Sequence, residues 1–65
     1  MSMERIRKVY GAPAKRGGRV EFIGYGFVQL GTIRSAMGMR LRVQMDGEKG
    51  TRLFHPTWDL RYLES

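Results

Sequence analysis

His55 is the single histidine of the chain, and with the scattered carboxylates it is the natural place to look for proton transfer. Thr57 and Asp59 follow it at two-residue intervals. A nucleophile–base–acid triad is defined by geometry and roles, and nothing in this spacing assigns them. Ahead of Pro56 and at the end of a strand, His55 reads instead as a partly buried residue bonding a turn carbonyl. Asp46, Glu48, Asp59 and Glu64 fall in turns and ends, where solvated carboxylates sit. Gly24-Tyr25-Gly26 lacks the Gly-Lys-Ser/Thr that a phosphate loop needs. One histidine without a cysteine cannot furnish a four-ligand zinc site. The expectation is no catalytic residue, no metal, no cofactor and no small-molecule substrate; the chain does not read as an enzyme.

The basic residues carry more information. Twelve Lys and Arg stand against six Asp and Glu, a formal charge of +6, and nine of the twelve are arginine. Such an excess on a small domain attracts polyanions. Arginine forms forked bonds to phosphate and stacks on planar groups. Strand parity points Arg34, Arg40, Arg42 and Arg52 away from the core, with Arg34 opposite Arg40 and Arg42 near Arg52 and Phe54. Like charges directly opposite are destabilising, so this face reads as kept for an anionic partner. The same charges would also guard a sheet edge against pairing. Lys15, Arg16 and Arg19 extend the patch. Phe54, set outward between Arg42 and Arg52, either stacks a nucleic-acid base or lies beneath Ile6, Val9 and Tyr10.

The elements that must position these residues follow from periodicity. The chain divides near residue 17 into a basic N-terminal arm, 1–17, and a β domain, 18–65. Met3, Ile6, Val9 and Tyr10 have helical spacing, and Gly11 and Pro13 end it. A helix this short is marginal alone and is ordered only if Ile6, Val9 or Tyr10 docks. Lys15-Arg16-Gly17-Gly18 reads as a flexible joint. From Arg19 the period becomes two. Strands are predicted at 19–22, 29–35, 39–45, 51–55 and 60–63, with a tight helical turn at Pro56-Thr57-Trp58. Ala36-Met37-Gly38 is taken as a three-residue hairpin loop, pairing Ser35 with Met39, Ile33 with Leu41 and Gly31 with Val43. The next hairpin, with a loop of three or five residues, turns Leu53 inward and Arg52 and Phe54 outward. The predicted core is Val20, Phe22, Ile33, Leu41, Val43, Leu53 and Leu60, with Trp58 read as a lid under the helical turn in preference to a ligand platform.

Sixty-five residues make at most one domain, and one this small buries only about 60% of its unfolded surface. No cysteine means no disulfide framework. No apolar run approaches the ~20 residues of a spanning helix, and Met1 to Tyr10 lacks the apolar centre of a signal peptide. A cytoplasmic protein without membrane contact is expected.

This order of strands, loops and turn resembles a five-stranded barrel of the Src-homology-3-like (SH3-like) class, an all-β fold. Gly18-Arg19-Val20 followed by Gly31-Thr32-Ile33 is similar to the glycine–hydrophobic spacing of KOW and Tudor-like barrels, and Asp46-Gly47 and His55-Pro56 are similar to their turns. The resemblance covers about residues 19 to 63, and no four-aromatic cage of the Tudor type is evident. It implies binding to RNA, ribosomal partners, methylated or proline-rich peptides, or other proteins. Tyr25 and Phe27 occupy the loop that lines the peptide groove of SH3 domains. Lys15-Arg16-Gly17-Gly18 and His55-Pro56-Thr57-Trp58 also resemble small bacterial and phage proteins. Two functions emerge: a module binding RNA or single-stranded DNA through Arg34, Arg40, Arg42, Arg52, Phe54, Lys15, Arg16 and Arg19, or an adaptor, such as a phage or bacterial accessory factor, for an acidic protein surface.

Overall fold

The computed structural model describes residues 2–63. A helix, α1 (Ser2–Tyr10), precedes five strands: β1 (Arg19–Phe22), β2 (Gln29–Met37), β3 (Arg40–Met45), β4 (Arg52–Phe54) and β5 (Leu60–Leu63). All pairings are antiparallel, in one sheet of order β4-β3-β2-β1-β5. The edge strands β4 and β5 do not pair with each other, so the sheet is open. It is nevertheless strongly curved. On a flat sheet β1 and β4 would lie about 14 Å apart, three spacings of ~4.8 Å. Yet the rings of Phe22 on β1 and Phe54 on β4 meet at 4.9 Å.

The concave face holds the core. Val20, Ile33, Leu41, Val43, Met45 and Leu60 are buried there, and Phe22, Ala36, Met39, Phe54 and Tyr62 pack around them. Alternation on β3 is strict in burial as in sequence: Leu41, Val43 and Met45 are buried, Arg40 and Arg42 exposed. Helix α1 caps this face. Ile6 is fully buried with Met3 and Tyr10 partly buried beside it, whereas Val9 is 62% exposed. Two of the three candidate docking residues are therefore used. Gly11, just past the helix, has φ +66°, the left-handed ending that suits glycine. Arg7 Nη1 donates to the carbonyl of Ala14 at 2.6 Å and folds the connector back under the helix. The arm then joins the sheet: Gly17 N–H donates to Ile33 O at 2.7 Å, and Ile33 N–H donates to Gly18 O at 2.8 Å.

Three expectations are corrected. The β2–β3 hairpin turns on two residues, Gly38 and Met39, with Met37 opposite Arg40 and Ala36 opposite Leu41. Gly38 has φ +60° and Met39 does not share a positive φ, the pattern of the two-residue turn with glycine first. A bulge between Ile33 and Ser35 absorbs one residue, so that Ile33 faces Val43 and Gly31 faces Met45. The bulge restores parity, which is why the predicted faces of Ile33, Leu41 and Val43 hold although their partners shift.

No such compensation occurs in the β3–β4 hairpin. Leu41 faces Phe54, Arg42 faces Leu53 and Val43 faces Arg52. This is one residue away from either predicted register, and a one-residue slip exchanges the two faces. Leu53 is thus 53% exposed rather than in the core, and Phe54 turns inward. Finally, Pro56 to Asp59 makes a bend rather than a helical turn. Pro56 is buried there, and Trp58, predicted as a lid, is 66% exposed.

Candidate nucleic-acid interface

The predicted arginines separate into two groups. Arg19 donates through Nη1 to Thr32 Oγ1 at 2.7 Å and grips the Asp46 carboxylate at 2.9 and 2.7 Å. Each partner holds the other ionised: the hydrogen bond raises the guanidinium's pKa and lowers that of the Asp46 carboxyl. Arg52 Nη2 donates to Glu48 Oε2 at 2.6 Å across the β3–β4 turn. On β5, Arg61 reaches Glu21 at 3.2 Å. Arg34, Arg40 and Arg42 form no salt bridge among the described residues. Arg34 sits in the bulge, exposed, next to the Ser35–Arg42 pair. Arg42 Nη2 lies 3.4 Å from Met37 Sδ. Lys15 and Arg16 are exposed in the connector whose next residues, Gly17 and Gly18, bond to Ile33. They therefore belong to the Arg34 end of the hairpin.

The expected face is thereby altered. Arg34 does not oppose Arg40: the tight turn at Gly38 and Met39 pairs Arg40 with Met37, and Arg34 lies unpaired in the bulge. Arg52 is neutralised by Glu48. Phe54 lies on the opposite face from Arg42, half-buried with its ring edge-on to Phe22. It cannot lie between Arg42 and Arg52 as an outward platform.

A different aromatic takes that place. Arg40 and His55 occupy the next position of the β3–β4 register beyond Leu41 and Phe54. His55 stacks on Trp58 with ring centroids 4.1 Å apart and planes within 9°. Tyr10 of α1 meets the imidazole edge-on at 5.1 Å. The Arg40 guanidinium carbon lies 5.8 Å from the Trp58 ring centroid, within the range of a cation–π contact. His55 Nδ1 accepts the backbone N–H of Thr57 at 3.1 Å, so the imidazole receives a turn donor instead of bonding a carbonyl. Burial, and then the charge of Arg40, push its pKa down and favour the neutral ring.

Beside this stack opens a cleft of about 330 Å³. Phe22, Tyr25, Phe54 and Trp58 supply its aromatic lining, with His55, Leu53, Arg52 and Asp59. Tyr25 meets Phe22 edge-on at 5.3 Å, and Phe27 continues the row at 6.4 Å. Gly24 makes this packing possible, because a Cβ there would come within 2.4 Å of the Phe22 ring. Asp59 has φ +55°, rare for a residue with a side chain. Its carbonyl accepts the Ile23 N–H at 2.9 Å, which fixes the bend against the end of β1.

No three His, Asp or Glu residues gather as metal ligands among the described residues. No described helix is long and apolar enough to cross a membrane. No protein-family model matches the chain, and no curated protein or solved structure matches it.

Proposed function

We propose that this chain is a small non-enzymatic binding module for single-stranded nucleic acid, RNA or DNA, built on an SH3-like barrel. The barrel reading is supported by the curvature that brings Phe22 to Phe54 and by a first strand paired to both β2 and β5. The functional reading rests on one observation: Arg34, Arg40 and Arg42 gather on one hairpin with no carboxylate partner among the described residues. Guanidiniums left in this state offer forked donors to phosphate oxygens. Lys15 and Arg16, exposed in the connector that hydrogen-bonds to Ile33 next to Arg34, add two further cations. Contacts of this kind position a backbone without selecting sequence.

The test is a salt titration of a fluorescent single strand by anisotropy. About four phosphate contacts give a log-log slope near −3, from ~0.7 counterions released per contact. The double reversal Arg40→Glu and Arg42→Glu should halve that slope and weaken every oligonucleotide alike. Both side chains face outward, so the melting temperature should change little. No binding to single strands, duplex or RNA near physiological ionic strength, about 0.15 M, would remove this reading. It would leave an adaptor for an acidic protein surface, a reading favoured by the exposed Tyr25, Phe27 and Val28.

A further inference from the structure

We infer that the cleft beside Trp58 receives one unstacked base of the bound strand, guanine for preference, with Trp58 as the stacking surface and Asp59 as the edge reader. The inference rests on the nucleic-acid reading above and goes beyond phosphate contact to the base itself. Three observations carry it. Trp58 is packed on one side by His55 yet remains 66% exposed. An indole already held parallel to a flat ring is ordered before a ligand arrives, so stacking a base on it costs little further ordering. Arg40 lies over the same ring, its guanidinium carbon 5.8 Å from the centroid, at the end of the unpaired arginine group. A strand whose phosphates lie on Arg34, Arg40 and Arg42 therefore passes the mouth of the cleft.

The third observation is Asp59. Among the described residues it is the only carboxylate lining the cleft, and it has no ion pair or side-chain hydrogen bond there. A carboxylate repels phosphate, so the backbone stays on the arginines and only a base enters. An ionised carboxylate is an acceptor without donors. Guanine presents two adjacent N–H donors that match its two oxygens, whereas thymine and uracil present one N–H flanked by carbonyls. Trp58 thus supplies affinity and Asp59 the choice.

Trp58 is the only tryptophan, and its fluorescence reports the site directly. The probes are a thymidine pentamer and the same pentamer with one central guanine, at about 0.15 M salt, with anisotropy of a labelled copy read in parallel. The guanine pentamer should quench Trp58 and bind about tenfold or more tighter than plain thymidine. Trp58→Ala should weaken single strands about 5- to 150-fold and leave duplex unchanged, and Trp58→Phe should recover most of the loss. Asp59→Asn should remove the guanine advantage. Binding by anisotropy without quenching, or an equal loss on single strands and duplex in Trp58→Ala, overturns this inference while the phosphate reading stands. Equal affinity for the two pentamers overturns the role of Asp59. Absence of all binding overturns the phosphate reading and this one with it.

Discussion

The sheet carries arginines in two conditions. On β1, β4 and β5 each one meets a carboxylate: Arg19 with Asp46, Arg52 with Glu48, Arg61 with Glu21. On the β2–β3 hairpin, residues 29–45 hold three arginines and no Asp or Glu at all. Pairs on an exposed surface are screened and contribute little to stability, but they cancel the field locally. The hairpin has no such cancellation, so its potential extends outward and sums. The same residue type is therefore a surface brace in one region and an available ligand for anions in the other. Counting basic residues would not distinguish them; the position of the acidic residues does.

Both regions stand on one core, so the most severe way to break the comparison is to destroy that core. Val43 is fully buried, and Val43→Asp places an unpaired charge among apolar neighbours, which so small a domain cannot tolerate. Loss of the cooperative thermal transition is expected; its retention would refute the β3 register. A milder blow falls at Gly31, opposite Met45. A Cβ there would lie 2.7 Å from Val43 Cγ1 and 3.0 Å from the Gln44 carbonyl oxygen. Gly31→Ala should destabilise the fold by roughly 1–3 kcal/mol, the usual cost of overpacking, measurable by urea unfolding with unchanged oligonucleotide contacts once folded.

A third change sharpens the contrast between paired and free arginines. Asp46→Asn releases Arg19 from its partner. It should lower the melting temperature slightly at low salt and not at high salt. Nucleic-acid affinity should hold or rise, the reverse of the Arg40 and Arg42 reversal. A clear fall in affinity would show that Arg19 was already a ligand while paired.

The smallest expected effect is one of pH. Burial and Arg40 depress the pKa of His55, so the folded state holds fewer protons than the unfolded one, where the value is about 6.5. The contribution of the neutral ring is complete above about pH 6.5 and is lost as pH falls through the lower folded value. Melting temperatures from about pH 7 to about pH 5 should fall modestly, and His55→Gln should flatten that slope.

How far the sequence disclosed this arrangement differs element by element. The alternation Leu41, Val43, Met45 needed no structure, because a half-buried strand writes its face into every second residue. Ile33 was placed on the correct face despite a wrong partner, since the bulge at Arg34 and the shorter turn at Gly38 cancel in parity. Phe54 and Leu53 were exchanged because the parity of the connecting turn, Asp46 to Thr51, decides which side is in, and turn length is weakly written in composition. Trp58 departs furthest from expectation: read as a core lid, it is exposed. A lone aromatic after His55-Pro56 looks like core, but it stands outside the core with His55 stacked on one face, a contact no periodicity announces. The pairing of Arg19 with Asp46 and the isolation of Arg34 were likewise invisible, because both are contacts across strands.

The pairing of β1 with both β2 and β5 has a consequence for synthesis. As the chain leaves the ribosome, α1 appears before the strands, yet Ile6 is buried in one cluster with Ile33, Leu41 and Leu60. The helix must wait for residues made long after it. Until Leu60 to Leu63 emerge, one side of β1 presents bare N–H and C=O groups, an invitation to neighbouring nascent chains. A chain truncated before Leu60 should therefore be sticky and protease-sensitive, and one in which Leu60 to Leu63 can pair with β1 should not.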